Sequence, residues 1–143
     1  MTISSCDSAA GAEAELVDRF REYYLATDHE AVRELERRTL GVAYGGNGYT
    51  DVHQAERLVS LLGLGEGDRV LELGSGAGWP GLYIAQESGA MVVLSDVPWE
   101  GVSWGRRHAR AEGLPADAVA CLGAEIPFKD RSFDGVTHSD VLC

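Results

Sequence analysis

Leu71-Glu72-Leu73-Gly74-Ser75-Gly76-Ala77-Gly78 is an apolar run interrupted by one acid and closed by alternating glycines. The run reads as a buried strand. The glycines read as a tight strand-to-helix turn, where backbone N–H groups stand free at a helix start and a ligand can approach closely. About twenty residues past the turn, a second apolar run, Met91-Val92-Val93-Leu94-Ser95, ends in Asp96. A carboxylate at the tip of strand two accepts both hydroxyls of a ribose, so the two motifs together describe a nucleoside-binding half-fold. Val97 follows directly and is expected against the face of the base. Glu72, an acid in an apolar strand, needs a donor once buried: a ligand ammonium, a water or a backbone amide.

Outward from this centre, apolar runs at 69–73, 91–95, about 118–122 and 133–138 alternate with helical stretches, the pattern of parallel strands joined by right-handed crossovers. Three helices are expected ahead of them. Leu16, Val17, Phe20, Tyr23 and Tyr24 recur at helical spacing. Thr27 and Glu30 form a capping-box pattern opening a second helix that carries Val32, Leu35 and Leu40 inward, with Glu34 and Arg38 as an exposed pair. Thr50 is expected to cap a third, whose stripe is Val52, Ala55, Leu58, Val59 and Leu62. Between the second and third, Gly45-Gly46-Asn47-Gly48 reads either as an interhelix turn or as the hinge of a lid carrying Tyr49 and His53. The organisation expected is a disordered tail over 1–11, a helical cover over 12–65 and a partial α/β binding domain over 66–143.

The formal net charge of -11 sets up a field that repels phosphate backbones and anionic lipid, so nucleic acid and membrane are not expected partners. A small-molecule partner fits better. Cys6, Cys121 and Cys143 lack metal-ligand spacing, and His29, His53, His108 and His138 are scattered, so no metal site is expected. No basic leader precedes an apolar core, and no apolar run approaches the roughly 18 residues of a membrane span. The expected location is a reducing cytoplasm.

With these residues assembled, the chain from about Tyr44 onward resembles the class I S-adenosylmethionine-dependent methyltransferases, particularly those acting on small molecules. Leu71 to Gly78 resembles the first motif, Asp96 the ribose acid, and Ile126-Pro127-Phe128-Lys129-Asp130-Arg131-Ser132-Phe133-Asp134-Gly135-Val136 the entry to strand four. The resemblance implies a doubly wound, Rossmann-like parallel sheet of order 3-2-1-4 with an N-terminal helical cover, and S-adenosylmethionine as cofactor. It places Gly74, Ser75, Gly76 and Gly78 near the methionine moiety, Glu72 at its ammonium, Asp96 at the ribose, and Ala124 or Glu125 at the adenine edge. The family sheet continues with three further strands, which are expected to be missing here. Strand four would then be an open edge through which the chain associates with a second copy.

Methyl transfer at a sulfonium carbon asks the protein mainly for proximity and orientation. A base is needed only for some acceptors, and His138 and Asp140, at the end of strand four, are the candidates. Two other readings stay open at this point. Gly76-Ala77-Gly78-Trp79-Pro80-Gly81 fits the dinucleotide fingerprint of an NAD-linked oxidoreductase. Alternatively, the shortened chain is a non-catalytic cofactor-binding or association subunit.

Overall fold

The computed structural model describes residues 5–141. Three helices come first: α1 (Ser5–Leu25), α2 (Glu30–Leu40) and α3 (Val52–Leu62). They are followed by β1 (Arg69–Leu73), α4 (Gly81–Ser88), β2 (Met91–Asp96), α5 (Trp99–Glu112), β3 (Ala116–Ala120) and β4 (Gly135–His138). All pairings are parallel, in the order β3-β2-β1-β4. This is the order expected from the resemblance.

The core lies between the sheet and the helices. Val70, Val92 and Leu94 on the strands, Leu82, Ile84 and Ala85 on α4, and Val102 and Ala109 on α5 are fully buried. Near-continuous apolar strands of this kind are the mark of a parallel sheet covered by crossover helices. The register sets Leu73 beside both Ser95 and His138. The residues that follow each, Gly74, Asp96 and Ser139, therefore meet at the carboxyl edge of the sheet, where open α/β folds hold their ligands.

Several expectations are corrected. Ser5–Gly11, assigned to a tail, belongs to α1, while the first four residues of that tail lie outside the described ones. Ala9, Ala10 and Ala12 are strong helix formers, and a segment needs no apolar stripe in order to coil. In the rest of α1, Leu16, Phe20 and Tyr23 are largely exposed and Tyr24 is buried. The α2 cap falls on His29, with no side-chain bond, and Thr27 is instead buried in the preceding 3-10 turn. Of the expected inner face of α2, Leu40 packs against the core and Val32 is partly buried, but Leu35 is 62% exposed and Glu36 is buried in its stead. The cap of α3 is Asp51, which forms a capping box with Gln54; Thr50 is engaged elsewhere. Strands three and four begin at Ala116 and Gly135.

Candidate functional site

A cavity of about 210 Å³ opens at the carboxyl edge of the sheet, between the glycine turn and the N-terminal helices. Its floor comes from the turn: Gly74, Ser75 and Gly76 line it, with Asp96 beside them. Gly74 and Gly76 both have left-handed φ, +66° and +55°, a conformation that side chains resist. Asp96 is locked to this turn. Its Oδ2 accepts from the Gly76 N–H at 2.7 Å and its Oδ1 from the Val97 N–H at 2.7 Å, while the Ser75 N–H donates to the Ser95 carbonyl at 3.0 Å. The acid at one strand tip and the bend at the next thus form a single bonded unit.

The roof comes from the first fifty residues. Phe20, Tyr24, Gly45, Asn47 and Gly48 line it, with Trp79, Ser139, Asp140 and Val141 closing the sides. The Tyr24 hydroxyl donates to Asp96 Oδ2 at 3.4 Å. A β-carbon on Gly76 would stand 3.1 Å from the Tyr24 ring and hydroxyl. Burial, reinforced by the charge of Asp96, pushes the Tyr24 phenol above its ordinary range, so it stays a neutral donor. The Gly45–Gly48 stretch is held from α2 by Glu36, whose Oε2 accepts from the Gly45 N–H at 3.1 Å. Burial raises the Glu36 carboxyl, against the opposing pull of the Gly45 and Gly46 amides. At the far end, the Trp79 indole Nε1 donates to the Thr50 carbonyl at 2.8 Å.

Glu72 lies outside this lining, 1% exposed beneath the start of α4, where a β-carbon on Gly81 would overlap its carboxylate. Burial first, then the charge of Asp96, pushes its carboxyl up to about 8. The Gly81 amide opposes that rise but makes no well-formed hydrogen bond, and both oxygens are unsatisfied. The Ser75 hydroxyl, in the turn itself, is likewise buried and unsatisfied.

Of the residues selected from sequence, the cavity gathers Gly74, Ser75, Gly76, Asp96 and Asp140. Glu72, Gly78, Val97, Ala124, Glu125 and His138 do not line it. Val97 is 39% exposed, and Ala124 and Glu125 sit exposed in the β3–β4 connection. Sequence reasoning missed Tyr24, Asn47 and Glu36 as site residues. Tyr24 did carry a signal, since a tyrosine on an apolar stripe must find a partner for its hydroxyl. Among the described residues, no three His, Cys, Asp or Glu side chains form a group able to hold a metal ion, and no helix is long and apolar enough to cross a membrane.

Comparison with known proteins follows the same outline. A family described as a methyltransferase domain matches residues 70–143. The 24-methylenesterol C-methyltransferase 2 of Oryza sativa subsp. japonica is 36% identical over 96 residues, covering 66% of this chain and 26% of that protein. The ubiquinone/menaquinone biosynthesis C-methyltransferase UbiE of Xanthomonas campestris pv. campestris is 40% identical over 77 residues, covering 51% of this chain and 30% of that one. The chain therefore spans less than a third of the length of either relative. Among solved structures, a SAM-dependent methyltransferase from Aquifex aeolicus superposes with a TM-score of 0.52 at 28% identity, over 59% of this chain and 46% of that one. The geranyl diphosphate C-methyltransferase of Streptomyces coelicolor A3(2) shares the fold, with a TM-score of 0.57 at 21% identity, over 62% and 34%.

Proposed function

Because the chain belongs to the methyltransferase-domain family, whose match covers residues 70–143, we propose that it binds S-adenosylmethionine at the glycine turn and serves methyl transfer to a small-molecule acceptor. One observation carries this reading: Asp96 and the glycine bend, joined by the Gly76 N–H at 2.7 Å, face one cavity. The residues fit such a cofactor. The Ser75 hydroxyl and the Glu72 carboxyl are buried polar groups without hydrogen-bond partners, whereas a β-carbon on Gly74 would overlap Val141 and one on Gly76 would stand 3.1 Å from Tyr24, so these two side chains pack on the bend and must give way to the methionine end.

When bound, S-adenosylmethionine supplies a methyl group on a positively charged sulfur, already reactive toward an electron-rich acceptor. The chain's own residues bind and orient. Asp96 offers its remaining acceptor capacity to the ribose hydroxyls, the long Tyr24 bond giving way to one of them. The turn offers small residues to the methionine end, its Ser75, Gly76 and Gly78 N–H groups being spent on Ser95, Asp96 and the Ser75 carbonyl, with Gly78 keeping the bend tight. Glu72 is the acid assigned to the ammonium, a pairing that would relieve an otherwise uncompensated carboxyl and that requires the start of α4 to shift, since the carboxyl is buried outside the cavity lining. Val97, Ala124 and Glu125 flank the adenine. Phe20, Trp79 and Val141 give the acceptor side an apolar character, in keeping with a carbon acceptor of low polarity. Within this reading residues 12–65 act as the cover and 66–143 as the binding unit.

Family membership sets aside the NAD-linked alternative. The association reading keeps one supporting observation: among the described residues β4 is an edge strand, and Val136 on it is 57% exposed. A dimeric solution mass would support pairing there and a monomeric one would refute it. The free thiol of Cys121 accords with a cytoplasmic location.

Titration calorimetry tests the cofactor assignment. S-adenosylmethionine or its demethylated product should bind the wild type, while Asp96→Ala loses about a hundredfold or more in affinity, the scale of two hydrogen bonds to a charged group. Binding of NAD instead, or equal binding by the variant, would overturn it.

A further inference from the structure

Asp140 stands two residues beyond β4, at the mouth of the cavity, with a left-handed φ of +58° that is uncommon for any residue but glycine. Its Oδ2 accepts from the Tyr49 N–H at 2.8 Å, the Thr50 N–H at 3.2 Å and the Thr50 hydroxyl at 3.2 Å. Three donors on one oxygen join the end of the sheet to a segment some ninety residues earlier. Thr50 uses its hydroxyl here, which explains why the α3 cap passes to Asp51. Gly48 is tied to the same contact, because a β-carbon there would overlap the Asp140 carboxylate.

The segment that Asp140 grips is the roof. Gly45, Asn47 and Gly48 line the cavity opposite Gly74, Ser75, Gly76 and Asp96. At about 210 Å³ the partly open cavity is smaller than the roughly 300 Å³ at the lower end of ordinary ligand pockets. A nucleoside carrying an amino-acid tail seats fully beneath Gly45–Gly48 once the roof gives way. Glu36 holds the roof to its own helix. Among the bonds described, those of Asp140 and of the Trp79 indole tie it to the sheet, and the Asp140 bonds are solvent-exposed and so easily opened.

We propose that Asp140 is a positioning residue that latches the Gly45–Thr50 segment over the cavity and so governs how long a bound nucleoside is retained. This role rests on the cofactor reading above and differs from that of a base, because the carboxylate is spent on the roof. An asparagine, whose carbonyl oxygen also accepts amide hydrogens, preserves most of it; a base would not survive that change.

Two measurements on the full chain separate the latch from the ligand. In the ligand-free protein, hydrogen exchange at the Tyr49 and Thr50 amides should rise about tenfold or more in Asp140→Ala and stay near wild type in Asp140→Asn, one lost charged acceptor amounting to at least a tenfold change. Release of S-adenosylhomocysteine, followed by displacement, should quicken by about the same factor in Asp140→Ala. Thr50→Val, lacking only the hydroxyl bond, should fall between the two. Unchanged exchange in Asp140→Ala overturns the latch. Raised exchange with unchanged release overturns its part in retention, as does an Asp140→Asn variant as leaky as alanine. If the wild type binds no nucleoside, the cofactor reading fails, and the exchange measurement still decides whether the latch exists.

Discussion

The floor and the roof of the cavity are built on different plans. In the floor, Gly74–Gly76 and Asp96 are the ends of two neighbouring strands, held in place by sheet register and by backbone bonds such as Gly76 N–H to Asp96 at 2.7 Å. In the roof, Tyr24, Glu36 and the Gly45–Thr50 segment come from three separate stretches and are held by a few side-chain bonds, those of Asp140 among them exposed. The first plan gives a rigid, pre-formed surface. The second gives a cover anchored at one end, where Tyr24 and Tyr44 belong to the core and Gly45 packs on Ala77, and able to open at Gly48–Thr50, where its bonds are exposed, since local opening costs least where few buried contacts hold an element.

The largest test of this contrast concerns the acid buried behind the floor. Glu72 titrates in the folded chain at about 8 against an ordinary 4.5, so between those values the folded state holds a proton that the unfolded state has lost. Stability should accordingly fall as pH rises from about 4.5 and level off above about 8, by roughly 5 kcal/mol at most for a shift of this size. Denaturant melts of Glu72→Gln at pH 5 and pH 9 should lack that component. An equal fall in variant and wild type would mean that the floor carries no such cost.

A smaller effect is expected at the bend. Gly76→Ala forces a side chain into left-handed backbone, costing about 1–2 kcal/mol, and sets its β-carbon 3.1 Å from Tyr24. Thermal melts should show the loss, and nucleoside affinity should drop with it; a variant as stable as wild type would argue against a strained, rigid floor. The smallest effect belongs to the roof. Tyr24→Phe removes the long 3.4 Å bond to Asp96 and the hydroxyl's interaction with Asn47, together worth about 1 kcal/mol. Calorimetry should find nucleoside affinity changed by less than about fivefold; a larger loss would make Tyr24 part of the floor.

The same contrast explains what the sequence disclosed. The order of the sheet, the glycine turn and Asp96 were legible because their chemistry lies in backbone conformation and strand ends, which leave a local signature. The run around 118–122 was displaced from the observed Ala116–Ala120 because Asp117 sits inside that strand and masks its start. The roof was largely illegible. Glu36 looked like one more charge on a solvated helix, and only the tertiary fold brings the Gly45 amide to it. Thr50 matched a helix cap by composition, but the distant carboxylate of Asp140 outcompetes that local role.

A crystal structure of the chain with S-adenosylhomocysteine tests the central claim most directly. Both ribose hydroxyls should lie within about 3 Å of the Asp96 carboxylate, with the amino-acid tail over Gly74–Gly76, beneath Gly45–Gly48. A nucleoside bound elsewhere on the molecule, or one whose sugar leaves Asp96 untouched, would contradict it.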